Sequence, residues 1–264
     1  MRLSEVISSL TSEDIAQVTV RDLTKRFAGR TLYENFDLDI IKGTITCIFG
    51  PNGCGKSTLL NMISGLTPYD DGQILFDGKP LSETKIGYVF QNYRDALFPW
   101  LKAIDNIEYP LKVRGIPRAE RKQRVGQLVD SFGIKINLNA YPYQLSGGQQ
   151  QLLSILRALV TQPEVLFLDE PFSALDYETT LSIRDKLQTI FQTSKLTMVM
   201  ISHDLEEAVF MADRVVLLTK APTRVAEVVR FSASRPRTPE TLTSFDFVKA
   251  KSRCLEVFQR EVRR

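Results

Sequence analysis

An α/β fold with a parallel central sheet, a separate antiparallel β layer and an inserted helical subdomain is the architecture this sequence predicts. Three observations lead there. Five short, nearly all-apolar runs, "TITCIF" (44–49), "IGYVF" (86–90), "VLFLD" (165–169), "TMVMIS" (197–202) and "RVVLL" (214–218), have the continuous hydrophobicity of strands buried on both faces. Helical patterns separate several of them, as a parallel sheet requires. The first run also passes straight into a glycine-rich loop and then a helix, "KSTLLNMISGL", ending near Gly65.

Taken in order, residues 1–16 form an N-terminal extension. Leu3, Val6, Ile7 and Leu10 follow helical spacing there, which allows a short amphipathic helix; a surface helix or frayed tail is expected, a partner contact being the other reading. Glu5, Glu13 and Asp14 accompany it, and no signal-peptide core is present. A main domain spans 17–220. It begins with "QVTVRDL" and "NFDLDI", which read as strands of the antiparallel layer. Residues from about 93 to 155 contain charged helical sequence ("RAERKQRVGQLVDSFG") and no buried-strand run, so they are read as the inserted helical subdomain. Residues 221–264 supply one more strand ("RVAEVVRF"), a proline-punctuated linker ("RPRTP") and a terminal helix ("SFDFVKAKSRCLEVFQREVRR").

Composition narrows the function classes. The chain has 264 residues, 43% hydrophobic and 25% charged, with a net charge of +3 and no block of like charge. Phosphate-tracking proteins cluster their basic residues, so a nucleic-acid partner is not expected. Cys47, Cys54 and Cys254 are odd in number and lack metal-ligand spacing, which fits a reducing compartment. No apolar run approaches the roughly 18 residues of a membrane-crossing helix.

The chemistry starts in the glycine loop. Gly50-Pro51-Asn52-Gly53-Cys54-Gly55-Lys56-Ser57 fits G-x-x-x-x-G-K-[ST], with Thr58 next in the helix. Glycines let backbone N–H groups close round phosphate oxygens, the helix offers its positive end, and Lys56 adds a formal charge near the β- and γ-phosphates. The Ser57 hydroxyl is placed to ligate Mg²⁺. In "VLFLDE", Asp169 at the strand end would hold Mg²⁺ through its water shell, and Glu170 could orient or deprotonate the attacking water. His203, the only histidine, follows "TMVMIS" at the carboxyl end of a buried strand, where ligands of open α/β sheets gather. Its position suggests a γ-phosphate contact, although a single histidine is more often structural. Gln91 has the same placement after "IGYVF" and could serve Mg²⁺ or the attacking water.

"LSGGQ" (145–149) separates this chain from other phosphate-loop enzymes. Ser146, Gly147, Gly148 and Gln149 open a second anion-binding helix. One nucleotide already has its phosphates wrapped by the first loop, so the second helix end most simply serves a nucleotide held by another subunit.

With these residues assembled, the sequence resembles the ATP-binding subunit of ABC transporters over about residues 17–220. Walker A (50–57), the Q-loop Gln91, the signature (145–149), Walker B with Glu170, the D-loop "SALD" ending at Asp176, and the switch His203 occur in the family's order. The resemblance implies a P-loop NTPase (RecA-like) core, ATP and Mg²⁺, and Phe27 stacking on adenine, where the residues alone equally allow a core position for Phe27. More narrowly, "QNYRDALFPWLKAIDNI" resembles nitrate/sulfonate/taurine-type importer ATPases. That implies two membrane-spanning permease subunits meeting the Q-loop and helical subdomain, an external solute-binding protein, and a peripheral place on the cytoplasmic face of the inner membrane. Because the chain carries every element of both half-sites, a homodimer would have two competent sites. Soluble ABC-type ATPases of DNA repair or translation are the alternative, but they typically carry coiled coils, zinc insertions or tandem cassettes. One departure is visible: family members commonly read Q-Q-Q-R-V-A-I-A-R-A-L after the signature, whereas this chain has Leu152, Ser154 and Leu156 in "QQQLLSILRAL".

Overall fold

The protein, a computed structural model, is described for residues 15–263 apart from Ala28, Ala174 and Lys195. The amphipathic stretch anticipated in the N-terminal extension lies outside the described residues. Strands β1 (Ala16–Phe27), β2 (Arg30–Ile41) and β4 (Asp71–Phe76) make an antiparallel sheet in the order β2-β1-β4. The third member, "DGQILF", escapes a sequence reading because it is short and only alternately buried.

The second sheet has the order β5-β6-β7-β3-β8-β9, from β3 (Ile45–Phe49), β5 (Ile86–Val89), β6 (Val165–Asp169), β7 (Thr197–Ile201), β8 (Arg214–Leu218) and β9 (Val225–Arg230). Its first five strands pair in parallel and β9 joins β8 antiparallel. Every residue of β3, β6 and β7 is buried. The reason is visible in β3: Ile45, Cys47 and Phe49 enter one core, while Ile48 enters another between this sheet and the antiparallel one. With both faces covered, apolar residues occupy both phases of the pleat.

The helices are α1 (Lys56–Ile63), α2 (Tyr93–Ala96), α3 (Ala103–Val113), α4 (Arg118–Ser131), α5 (Gly147–Leu159), α6 (Tyr177–Ser194), α7 (Leu205–Met211) and α8 (Phe245–Arg263). Helix α1 lies in the core beneath the antiparallel layer, through Leu59, Leu60, Met62 and Ile63. Helices α2 to α5 follow one another between β5 and β6. Fully buried Asn106 stitches its start together: its Nδ2 donates to the carbonyls of Phe98, Leu101 and Lys102, and its Oδ1 accepts from the Phe98 N–H at 2.9 Å.

"RPRTP" is more than a linker. The Arg237 side chain has no exposure and donates to the carbonyls of Val209, Phe210, Ala212 and Phe231 and to Asp213 Oδ1. It therefore satisfies the open carbonyl end of α7 from outside the helix. Burial pulls its pKa down to about 10, so it stays charged at neutral pH. Arg237→Ala should cost about 1–3 kcal/mol, because the buried carbonyls of α7 lose their donor while Asp213 keeps Arg235. The check is the urea midpoint; an unchanged midpoint would mean that water replaces the guanidinium without cost.

Candidate active site

In the sheet order β5-β6-β7-β3, the carboxyl ends of four parallel strands face one crevice. Gln91 follows β5, Asp169 ends β6 and Glu170 follows it, Ser202 and His203 follow β7, and the phosphate loop follows β3. Strand ends of an open α/β sheet are where ligands collect.

Close packing shapes the loop. Gly55 has φ +98°, and a side chain there would come within 2.9 Å of Leu32 and 3.0 Å of Tyr33. The Tyr33 hydroxyl donates to the Gly55 carbonyl at 3.0 Å, and Thr223 Oγ1 donates to the Cys54 carbonyl at 2.6 Å. Neither anchor carries a motif signal, and a sequence reading misses both. Pro51 is buried, Asn52 and Gly53 are exposed, and Thr58 is partly buried in the first turn of α1. Cys54 lies among the loop residues but its thiol is buried at 2% exposure, and burial raises its pKa. Only its backbone remains to meet a phosphate. Lys56 is buried, and its ammonium donates to the carbonyls of Gly50 at 2.9 Å and Pro51 at 3.2 Å, which holds the charge over the loop.

Ser57 Oγ donates to Asp169 Oδ1 at 3.2 Å. Burial raises the Asp169 pKa, with the neighbouring Glu170 charge adding to the effect and Ser57 and Lys56 opposing it. A partly desolvated carboxylate beside a hydroxyl and a second carboxylate is a hard-oxygen setting that suits Mg²⁺, so the donor set fits that ion.

Glu170 adopts φ +46°, a left-handed backbone that breaks the alternation of β6. Its N–H donates to the Ile201 carbonyl at 3.1 Å, while Ser173 donates to the Glu170 carbonyl through both N and Oγ. The carboxylate is thereby fixed between two partners: Gln91 Nε2 donates to Oε2 at 2.8 Å, and His203 Nδ1 lies 3.2 Å from the same oxygen. The His203 turn is braced in its own right. Asp204 Oδ1 accepts from the Glu207 N–H at 2.9 Å, and Ser202 Oγ donates to Glu207 Oε2 at 2.9 Å.

The second helix end is separate. Ser146 caps α5 reciprocally, its Oγ accepting from Gln149 N at 3.3 Å and its N–H donating to Gln149 Oε1 at 3.0 Å. Ser146, Gly148, Gln149 and Asp176 line a cleft of about 580 Å³ that includes no residue of the phosphate loop. Asp176 accepts from Thr179 N and Oγ1, both at 2.8 Å, and these bonds hold its carboxyl below the usual range. Gly147 packs beside Tyr93 and Arg94 of α2, and Arg157 of α5 donates to the Ala96 carbonyl at 2.6 Å. The segment following Gln91 is thus tied to the signature helix. Leu156 is fully buried and Ser154 is buried, so those two departures change packing, whereas Leu152 is partly buried and lines the signature cleft. Phe27 is 48% exposed at the end of β1, with Lys25 Nζ 4.9 Å from its ring centroid. That excludes the core position its sequence allowed.

Gly148 yields a sharp expectation. A Cβ there would sit 2.3 Å from Thr179 Cγ2, and Thr179 cannot rotate away without releasing Asp176. Gly148→Ala should lower ATPase turnover by about 10²-fold, the scale of an ångström-sized misplacement. Adding Thr179→Ser, which removes the clashing methyl but keeps the hydroxyl, should restore much of it. No rescue would argue against the steric account.

Comparison with known proteins agrees with this geometry. Residues 33–173 match the ABC transporter family. An uncharacterized ABC transporter ATP-binding protein of Methanocaldococcus jannaschii is 37% identical, covering 93% of this chain and 92% of its own. The aliphatic sulfonates import ATP-binding protein of Bacillus subtilis is 37% identical over 92% of this chain and 94% of its own length. The spermidine/putrescine import ATP-binding protein of Marinobacter nauticus is 41% identical, over 76% of this chain and 55% of its own. Among solved structures, a dimeric post-hydrolysis ATP-binding cassette bound to ADP and Pi superposes with a TM-score of 0.71 at 29% identity, covering 82% of this chain and all of that one.

Proposed function

Since the chain belongs to the ABC transporter family, as an ATP-binding and ATP-hydrolysing subunit of an import system, we propose that it powers uptake of a small solute of the nitrate, sulfonate or taurine class through a membrane permease. The observation that carries the catalytic part is the meeting of Gln91 and His203 on one carboxylate oxygen of Glu170 at the edge of the phosphate loop.

In this reading the backbone of residues 50–55 and the Lys56 ammonium bind the phosphates, Phe27 stacks on adenine, and Ser57, Asp169 and Gln91 hold Mg²⁺, which supplies charge neutralisation on the phosphate oxygens. Glu170 accepts a proton from the attacking water as its oxygen bonds to the γ-phosphorus. The bond to the β,γ-bridging oxygen breaks, and ADP and phosphate leave. His203 orients Glu170 and donates to the γ-phosphate. Ser146, Gly147, Gly148 and Gln149 of a second copy, with Asp176, complete the phosphate shell, so a homodimer holds two such sites.

The permease is expected to dock beside the Q-loop, where Trp100 is 71% and Val113 70% exposed next to Phe98 and Tyr109. Two permease subunits, a solute-binding protein outside, and a peripheral position on the cytoplasmic face complete the assembly; no helix among the described residues is long and apolar enough to cross a membrane. The sulfonate importer relative and the "FPW" segment (98–100) support the solute class. The test is to isolate the tagged full chain from membranes, identify the permease and solute-binding protein that accompany it, and measure ATPase activity in vesicles. A sulfonate-, nitrate- or taurine-loaded binding protein should stimulate hydrolysis. Stimulation by DNA or ribosomes instead would transfer the chain to the soluble class.

A further inference from the structure

Behind the phosphate loop, two buried hydroxyls meet two consecutive peptides of its backbone. Tyr33 of β2 and Thr223, in the turn between β8 and β9, have no solvent exposure. They pair with each other as a single parallel β-bridge, and the Thr223 N–H donates to the Leu32 carbonyl at 2.8 Å. From this one bridge, Thr223 Oγ1 reaches the Cys54 carbonyl and the Tyr33 hydroxyl reaches the Gly55 carbonyl. We propose that Thr223 and Tyr33 are positioning residues for nucleotide binding, a clamp that sets the direction in which the loop presents its N–H groups. This role rests on the reading of the loop as the ATP phosphate site.

Peptide geometry supplies the first argument. A trans peptide is planar, so its N–H points away from its C=O. Holding the Cys54 carbonyl against a fully buried hydroxyl turns the N–H of Gly55 to the opposite, outer side. Holding the Gly55 carbonyl does the same for the N–H of Lys56. Both donors stand at the start of α1, where a helix receives an anion.

The loop cannot fix these peptides by itself. Gly53 at φ +74° and Gly55 at φ +98° flank Cys54, and glycine leaves the torsions on either side soft. The two anchors are also unequal. The Gly55 carbonyl has a second donor, the Leu59 N–H at 2.8 Å, which begins the helical ladder. Among the described residues, Thr223 alone donates to the Cys54 carbonyl. Thr223 is therefore the stronger determinant of the two. Neither hydroxyl bonds to Gln91, Glu170 or His203, so the clamp acts on binding and leaves the hydrolytic groups in place.

The experiment measures equilibrium ATP binding and steady-state hydrolysis on the full chain, with the urea midpoint reporting the fold. Thr223→Val keeps the side chain's shape and removes the hydroxyl. A loop that presents its donors only part of the time binds more weakly by that fraction, so the Kd for ATP should rise about three- to tenfold, the scale of one net hydrogen bond. KM should rise with it while kcat holds, the pattern of lost uniform binding. Tyr33→Phe should weaken binding less, about two- to threefold, because Leu59 still holds the Gly55 carbonyl. Thr223→Ser retains the hydroxyl and should restore wild-type affinity. Tyr33→Phe also carries the test if the valine variant does not fold. Wild-type affinity in both Thr223→Val and Tyr33→Phe, a serine variant as weak as the valine one, or a fall in kcat with KM unchanged would overturn the clamp. An unaltered chain that binds no ATP would instead overturn the nucleotide reading beneath it.

Discussion

Replacing Glu170 by glutamine should slow ATP hydrolysis by about 10²–10⁴-fold, the range for losing a general base, while ATP binding stays nearly intact. The amide keeps the shape that Gln91 and His203 grip but cannot take a proton from water. The phosphate loop, Lys56 and Ser57 are untouched, so nucleotide still enters, and an ATP-bound dimer should accumulate because closure no longer leads to cleavage. Lys56→Ala is the contrasting variant and should weaken binding itself. Single-turnover hydrolysis beside equilibrium nucleotide binding separates the two. Wild-type turnover in Glu170→Gln would remove this residue from the reaction and leave its left-handed backbone without a catalytic reason.

His203→Ala should lower turnover by about 10²–10³-fold, as expected for a preorganised donor lost from the transition state. Its side chain is 61% exposed, yet Nδ1 sits 3.2 Å from the Glu170 carboxylate, so a histidine-directed reagent can reach it. No other histidine exists in the chain to confuse the result. Modification should abolish hydrolysis, and ATP with Mg²⁺ should slow the modification. Full activity after complete modification would return His203 to a structural role.

The sequence made the parallel sheet legible because strands buried on both faces must be apolar throughout, and "ITCIF", "VLFLD" and "TMVMI" have few other uses. Strand β4 was hidden because its first half, Asp71, Gly72 and Gln73, is polar or glycine and only Ile74 and Phe76 are buried. The phosphate loop, Glu170 and His203 were legible because each sits where an apolar strand ends. Their supports were not. Tyr33 and Thr223 hold the loop from 22 and 169 residues away, distances that no local pattern encodes. Arg237 read as linker for the same reason: its partners are the carbonyls of α7, and carbonyls are anonymous in sequence. The direction of the Cys54 thiol was not legible either: only the packing of the loop against β8 shows it turned inward.

The central claim is that each ATP site is completed by a second copy of the chain, the signature of one closing on the phosphate loop of the other. Asn52→Cys in the loop and Gln144→Cys beside the signature test it directly, since both positions are exposed and the native thiols are buried. In the Glu170→Gln background, a short thiol cross-linker should give a covalent dimer of twice the 30.0 kDa chain on a denaturing gel, with a yield that rises when ATP is added. Cross-links formed only within one chain, or a dimer yield indifferent to ATP, would contradict the shared site.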